Sequence, residues 1–407
     1  MDYLDSNRIE LYEDLDLDLD LDLIDSNNNN NKPKWYDIFN HYYKVLGIVS
    51  IFYIIPAIQY LFLQINNDID LEKCFFNHKC HTTVYHMYSF NNVSSNISYL
   101  ILGSIFLAIV SISTRFIDNP DSIYHNKGII ISLGWSMILE GIFSSIFHLC
   151  PSETNFQFDT TFMIIFCCFM GLYLIQRRRK ELVFDYYSCF LFFGLLNILN
   201  VLDLKKELIH FQWIPITILL LVTSFKITTN IYLGRLSWID SCTQSLVLFK
   251  QWFLQPKSPD NLAIFINLII LNLVNITSLL LCNYNNFHLS TILLLITIMD
   301  NTIIICYYLF MKFYHQETIY KTNILLFILI IPTWGLSLYF YTLPTSDKSL
   351  THLESDKLNS PCVLFNFYDT HDIWHFLSSI GMFLSLLFVW FMDWDLKNIS
   401  IDEIDVF

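Results

Sequence analysis

One stretch of this sequence spaces three reactive side chains at the interval of a helix turn. It reads "GWSMILEGIFSSIFHLCP" (134–151) and places Glu140, Ser144 and His148 four residues apart. On a helix, such residues advance only about 40° per step, so the three side chains form one stripe. The surroundings are strongly apolar, where ionisable side chains are costly and by default suggest function.

Two further apolar stretches carry side chains of the same kinds. The segment "FYDTHDIWHFLSS" (367–379) sets His371 and His375 four residues apart, on one face of a helix. The segment "NFQFDTTFM" (155–163) places Asp159 about one turn inside an apolar run. Imidazoles and carboxylates are zinc ligands and general acid–base groups, so their relative positions decide what chemistry they can perform.

The elements that position these residues are membrane-spanning helices. Of the 407 residues, 54% are hydrophobic and only 15% are charged, whereas soluble domains are closer to a quarter charged. The apolar residues fall in runs of about twenty, the length of a helix that crosses a bilayer. Ten spans are predicted, at 44–64, 94–114, 128–149, 157–176, 184–202, 208–229, 261–282, 288–311, 322–342 and 371–392. Because backbone polar groups cannot stay unpaired in lipid, the fold class is an all-α, polytopic helical membrane protein.

Charge predicts the direction of these spans. If the N-terminus is cytoplasmic, ten spans return the C-terminus to the same side. Most of the 23 lysines and arginines then face the cytoplasm, including the block 177–180 after the fourth span. This asymmetry follows the positive-inside rule and favours that topology.

This topology brings the reactive groups to one depth. The third span runs outward and ends near His148, whereas the fourth and tenth run inward and begin at Asp159 and His371. His148, Asp159, His371 and His375 are therefore expected together near the outer face. Three neutral imidazoles with a fourth position for water are typical of a catalytic zinc site.

Each residue of this predicted site has an expected role and a plainer alternative. Zinc would lower the pKa of water, Asp159 would hold or deprotonate that water, and Ser144 would orient it or stabilise an oxyanion. Glu140 lies deeper, where hydrogen bonding between helices is expected. Taken singly, His148 reads as an interfacial polar residue, Asp159 as a helix cap and Ser144 as a small packing residue.

Cysteine positions predict disulfides on the outer side. Four of the ten cysteines fall there, where disulfides persist: Cys74, Cys80, Cys150 and Cys362. In "CFFNHKC", a bridge between Cys74 and Cys80 would close a small outer loop. The alternative is a metal site that uses His78 or His81, although the spacing typical of zinc sites is missing.

The remaining segments complete the predicted organisation. We expect a disordered, acidic and Asn-rich cytoplasmic tail at 1–40, a transmembrane domain at 41–395, outer loops at 65–93 and 343–370, an inner amphipathic loop at 230–260, and a cytoplasmic C-terminal tail at 396–407. Asp300 is a separate acid within the eighth span, with a partner that the sequence does not identify.

Four long motifs resemble the systemic RNA interference defective (SID) transmembrane family. They are "FNNVSSNISYLILG", "MILEGIFSSIFHLCPSETNFQFDTTFM", "IYLGRLSWID" and "CVLFNFYDTHDIWHFLSSIGMF". The resemblance implies transport of double-stranded RNA and, for animal members, a link to cholesterol. It also implies distant kinship with alkaline ceramidases and adiponectin-type receptors, whose seven-helix core holds zinc through three histidines beside an Asp and a Ser. By motif, the zinc ligands here would be His148, His371 and His375, next to Asp159 and Ser144.

The family pattern also includes a large extracellular β-rich domain and one earlier span, so we expect a shortened member with ten spans. The partners implied are the lipid bilayer, cholesterol or another lipid, and double-stranded RNA. A homodimer in the plasma membrane, or in the lysosomal or endosomal membrane, completes these expectations.

Three functions stay open at this point. The first is transport of double-stranded RNA or handling of sterol. The second is a zinc-dependent intramembrane hydrolase of a lipid amide or ester. The third is a receptor or scaffold in which zinc is structural.

Overall fold

The described part of the chain is helical. The computed structural model describes residues 42–66, 71–124, 127–152, 155–179, 259–285, 289–348 and 350–406, together with a few single positions between 191 and 218. These residues contain no strand, only isolated bridges in the connecting turns. The all-α fold class is confirmed.

Ten α-helices lie in the described segments, joined by short 3-10 helices and turns. They are α1 (Tyr42–Ile65), α2 (Phe90–Ser95), α3 (Ile97–Ser113), α4 (Gly128–Phe147), α5 (Thr161–Gln176), α6 (Pro259–Asn285), α7 (Leu289–Tyr314), α8 (Lys321–Tyr341), α9 (His352–Ser355) and α10 (Thr370–Phe391).

Seven helical segments of the described chain are long and apolar enough to cross a membrane. They run over Tyr42–Leu63, Phe90–Phe116, Gly128–Phe147, Phe156–Gln176, Thr291–Tyr314, Lys321–Tyr341 and Thr370–Leu396, and each overlaps one predicted span. A further apolar stretch, Ile266–Ser278, lies within the predicted span 261–282. Apart from those single positions, the predicted spans 184–202 and 208–229 lie outside the described residues, as do the tail 1–40 and most of the loop 230–260.

Helix α4 lies at the centre of the packing. It contacts α1, α3 and α5, while α10 packs against α3 and α8, and α7 against α5. Small residues allow helices to approach closely within a membrane. At Gly141 a Cβ would lie 2.9 Å from the Asn96 carbonyl oxygen and would also meet the side chain of Leu100. The approach of α4 to the α2–α3 junction therefore requires glycine at this position.

Replacing Gly141 with alanine is expected to lower the free energy of unfolding by about 1–3 kcal/mol, because the added methyl group forces the backbones apart. The measurement is the thermal unfolding midpoint in detergent. The matched control is Gly335→Ala in α8, where a Cβ would meet nothing within 4 Å. That control should leave the midpoint unchanged or raise it, and equal losses in both variants would contradict the packing argument.

Two disulfides close the end of the bundle that contains His148, called here the histidine end. Cys74 pairs with Cys150, and Cys80 pairs with Cys362. The four cysteines are those expected from the sequence, but a bridge between Cys74 and Cys80 is wrong. The reason is that the segment 74–80 lies between two other loops, and each of its cysteines faces a different loop.

Charged side chains fill the opposite end, called here the arginine end. Asp393 is fully buried and accepts hydrogen bonds from Arg177 Nε at 2.5 Å, Arg178 Nη2 at 2.7 Å, Lys312 Nζ at 2.9 Å and the Tyr308 hydroxyl at 2.6 Å. These residues come from the ends of α5, α7 and α10. The network therefore ties three spans together away from the histidines.

Glu317 and Asp395 complete this network. The Arg178 guanidinium donates to both carboxylate oxygens of Glu317 at 2.6 Å, and Lys312 Nζ lies 3.3 Å from Asp395 Oδ1. Burial alone would raise the pKa of Glu317, but the hydrogen bonds and charge of Arg178 hold that pKa below its usual range. Three cations thus face three carboxylates.

Candidate metal centre

The structure brings His148, Asp159, His371 and His375 together. One possible ligand atom from each of the four lies within 4.8 Å of all the others. His148 follows the last residue of α4, and Asp159 ends the 3-10 helix that precedes α5. His371 and His375 occupy the first two turns of α10. These are the four residues that the sequence analysis expected at one depth, from the directions of the third, fourth and tenth predicted spans.

The donor set fits a tetrahedral metal ion. His148 Nε2 lies 3.0 Å from His375 Nε2 and 3.7 Å from Asp159 Oδ1. The His371 ring centroid lies 5.1 Å from that of His148 and 4.6 Å from that of His375. Nitrogen ligands bound to zinc at their usual lengths lie roughly 3.3 Å apart. The spacing and the chemistry of the three imidazoles therefore suit zinc, and the Asp159 carboxylate lies in the same cluster.

Ser144 and Glu140 lie beside the cluster as the stripe on α4 predicts. The Ser144 hydroxyl donates to Asp159 Oδ1 at 2.5 Å and so orients that carboxylate. Glu140 is 1% exposed, and its carboxylate accepts a hydrogen bond from the Met163 backbone on α5. Its Oε2 has no hydrogen-bond partner among the described residues. Glu140 thus joins two helices, and Ser144 contacts Asp159 directly.

The start of α10 is held by polar groups that the sequence analysis did not identify. Asp369 and Asp372 form a capping box, in which each side chain accepts from the backbone N–H of the other. Asn77 donates to Asp369 at 3.0 Å, and Asn91 donates to Asp372 at 3.0 Å. These contacts fix the helix turn that carries His371. The three-residue spacing of Asp369 and Asp372 was the sequence signal that could have indicated this capping box.

Lys348 is a second residue that the sequence analysis missed. Its ammonium lies 3.6 Å from the ring centroid of Phe156 and 4.5 Å from that of Phe147. Burial lowers the pKa of Lys348 to about 8, although the carboxylates of Asp159 and Asp347 act in the opposite direction. Its position in a long loop carries no local motif that could have indicated this placement.

Asp300 is not part of the cluster. It accepts a hydrogen bond from the side-chain amide of Asn275, at 3.2 Å, which joins α7 to α6. This contact supplies the partner that the sequence left open.

Apolar spans that enclose a largely buried cluster of three imidazoles and a carboxylate define a helical polytopic membrane protein with a candidate metal centre. The chain belongs to the SID-1 RNA channel family, whose sequence profile, described as "dsRNA-gated channel SID-1", matches residues 16–407.

Named relatives agree with this assignment. The chain is 28% identical to SID1 transmembrane family member 1 of Rattus norvegicus over 390 residues, which cover 90% of this chain and 47% of the relative. The Homo sapiens protein of the same name is 28% identical over 386 residues, covering 90% and 46%. Cholesterol uptake protein 1 of Caenorhabditis elegans is 28% identical over 396 residues, covering 90% and 51%. The chain spans about half the length of these curated relatives.

Proposed function

We propose that this protein hydrolyses an acyl linkage, an amide or an ester, of a membrane lipid at a zinc ion held by His148, His371 and His375. The observation that carries this proposal is the convergence of these imidazoles with Asp159 at the end of an apolar helical bundle. A site at that level lies where lipid headgroups meet acyl chains, which is where an acyl linkage is found.

The residues of the chain have separate tasks in this reaction. A bound zinc ion supplies a Lewis acid that lowers the pKa of water towards neutrality. Asp159 holds the attacking water and accepts its proton, while Ser144 keeps the carboxylate oriented through the bond to Oδ1. The water oxygen bonds to the acyl carbon, and the bond from that carbon to the ester oxygen or amide nitrogen breaks. Asp159 returns the proton to the leaving group, releasing a fatty acid and an alcohol or amine.

Asp159→Asn is expected to reduce fatty-acid release about 100- to 10,000-fold, because the amide cannot accept the proton from water. Zinc content should stay close to that of the parent, since three imidazoles remain. The assay uses purified protein in vesicles that contain acyl ester and acyl amide lipids, with zinc measured by elemental analysis.

Asp356→Asn, in the half-exposed loop of the histidine end, is the matched control and should hydrolyse like the parent. Equal rates for Asp159→Asn and the parent would remove Asp159 from the mechanism. A parent that holds zinc but releases no fatty acid would instead support the structural zinc of a receptor or scaffold.

The proposed orientation places both termini in the cytoplasm and the histidine end outside the cell or in an organelle lumen. Disulfides persist in oxidising compartments, and both disulfides lie at the histidine end, which supports this orientation. The plasma membrane and the lysosomal or endosomal membrane both satisfy it. A homodimer is part of the same proposal.

A second candidate function is movement of double-stranded RNA or sterol across the membrane. The family description names a dsRNA-gated channel, and one relative is named for cholesterol uptake. The described loops of the histidine end, 71–89 and 342–369, carry four lysines and no arginine. Because RNA binding requires neutralisation of many phosphates, these loops favour sterol as the cargo. Uptake of labelled sterol and labelled RNA into vesicles, with and without the protein, tests both cargoes.

A further inference from the structure

Asp300 is an acid in the middle of a membrane span, away from both the metal centre and the arginine end. It lies eleven residues after the start of α7 at Leu289 and fourteen before its end at Tyr314. At 1.5 Å per residue, each end of the helix is roughly 15–20 Å away, which is about half the thickness of the hydrocarbon core. Ionisable side chains at that depth are costly and by default indicate function.

The neighbouring helix α6 places Asn275 at the same depth. Only three residues separate α6 from α7, and the two helices pack against each other. Asn275 precedes the end of α6 at Asn285 by ten residues, which matches the eleven residues between Leu289 and Asp300. Asn275 Nδ2 donates to Asp300 Oδ2 at 3.2 Å. The two side chains are therefore a pair between adjacent spans, near the membrane midplane.

Two oxygens of this pair are left without a partner. Asp300 Oδ1 and Asn275 Oδ1 are both shielded from solvent, and neither has a hydrogen-bond partner among the described residues. An ionised carboxylate and an amide oxygen only accept hydrogen bonds, so neither oxygen can satisfy the other. A proton on Asp300 Oδ1 changes this, because a carboxyl group that donates to the amide oxygen can also accept from the amide nitrogen. The protonated form thus suits Asn275 through both ends of its amide.

No positive charge compensates Asp300. Among the described residues, no cation contacts its carboxylate, and the Asn275 amide is the polar group that does. The sequences of α5, α6 and α7 contain two other charged residues, Asp260 and Lys312. They lie fifteen residues from Asn275 and twelve from Asp300, roughly 18–23 Å along the helix axes. Lys312 belongs to the arginine end, where its ammonium binds a carboxylate already.

Helix α5 also packs against α7 and adds no charge at this level. Asn301, next to Asp300, donates to the carbonyl of Cys167 at 2.9 Å, which places this cysteine of α5 at the depth of the pair. Apart from the residues named above, the titratable side chains of α5, α6 and α7 are cysteines and tyrosines, which are ordinarily uncharged at neutral pH. An ionised carboxylate in such surroundings is costly, and a proton removes that cost.

We propose that Asp300 and Asn275 form a proton-binding site at the level of the membrane midplane. The site is separate from the metal centre and goes beyond the proposed hydrolysis. Binding adds one proton from water to the carboxylate and needs no other reactant. It exchanges a buried negative charge for a neutral acid–amide pair, so proton uptake stabilises the contact of α6 with α7. The pair offers only two free oxygens, whereas a hard metal cation needs about six.

The test is infrared difference spectroscopy of the purified full-length protein, since an un-ionised carboxyl group has a carbonyl stretch that a carboxylate lacks. The spectrum of Asp300→Asn is subtracted from that of the parent, so that other buried acids cancel. A carboxyl band is expected in this difference at neutral pH. Asn275→Leu should shift the band to higher frequency, because the carboxyl group loses its hydrogen bonds. The matched control is Asn272→Leu on the same helix, whose amide donates to the carbonyl of Leu268 at 2.7 Å, and it should leave the band in place.

Each alternative outcome overturns a stated part of this proposal. A difference spectrum without a carboxyl band at neutral pH would show that Asp300 is ionised and would remove the proton site. A band that Asn275→Leu leaves unshifted would remove Asn275 from it. A band abolished by sodium chloride, but not by choline chloride at equal ionic strength, would assign the free oxygens to a sodium ion instead. The samples contain no lipid ester or amide substrate, so these results are distinct from success or failure of the proposed hydrolase.

Discussion

Replacing His375 with alanine is expected to reduce bound zinc from about one ion per chain to a small fraction of that. The change removes one of three nitrogen ligands and leaves an apolar methyl group in a buried position. His371→Ala should have the same effect, because the two rings face each other on adjacent turns of α10. The measurement is elemental analysis of protein purified in detergent, with monodispersity checked on the same sample.

The matched control for zinc loss is His81→Ala, which replaces an exposed histidine of a loop at the same end. That variant should retain the zinc of the parent and should also exclude a metal site beside Cys80. Zinc content that is equal in His375→Ala and the parent would contradict the metal centre. Loss of zinc in His81→Ala alone would locate the metal in the loop instead.

Replacing Asp393 with asparagine is expected to destabilise the protein by about 3–5 kcal/mol, because three buried cations lose the carboxylate that they share. Arg177, Arg178 and Lys312 all contact this side chain. The cost of an unpaired charge is high here, since these side chains are almost wholly buried. The thermal unfolding midpoint in detergent should fall sharply, and zinc content in the surviving folded protein should be unchanged.

Asp395→Asn is the matched control for this prediction. Asp395 is partly exposed and contacts Lys312 at 3.3 Å and the Thr318 hydroxyl at 2.9 Å. Lys312 keeps its contacts with Asp393 and Glu317 in this variant, so no buried cation loses all its carboxylates and the control should shift the midpoint much less than Asp393→Asn. Similar midpoints for the two variants would show that burial of Asp393 does not set the stability of the arginine end.

Local sequence patterns predicted much of the candidate metal centre. The spacing of Glu140, Ser144 and His148 is a property of one helix, and so is the spacing of His371 and His375. Apolar runs long enough to cross a bilayer can point in only two directions, which placed His148, Asp159 and His371 at one end. Seven predicted spans overlap described helices that are long and apolar enough to cross a membrane.

The charged block after the fourth span makes contacts that local sequence patterns could not predict. Its lysine and arginine content predicted a cytoplasmic loop, which is a statement about sidedness alone. In the structure, Arg177 and Arg178 are buried and bind Asp393, which lies more than 200 residues away in the chain. No spacing rule connects these residues, because the packing of α5 against α7 and the end of α10 creates the contact.

By itself, then, the sequence determined the helical membrane class and indicated the shared level of the three histidines. Only the tertiary structure decided that Cys80 pairs with Cys362, that Asn91 supports Asp372 and that Lys348 lies over Phe156. Periodicity and length act within one helix and are visible in the sequence. Partners in different loops and helices meet through packing, which no local pattern encodes.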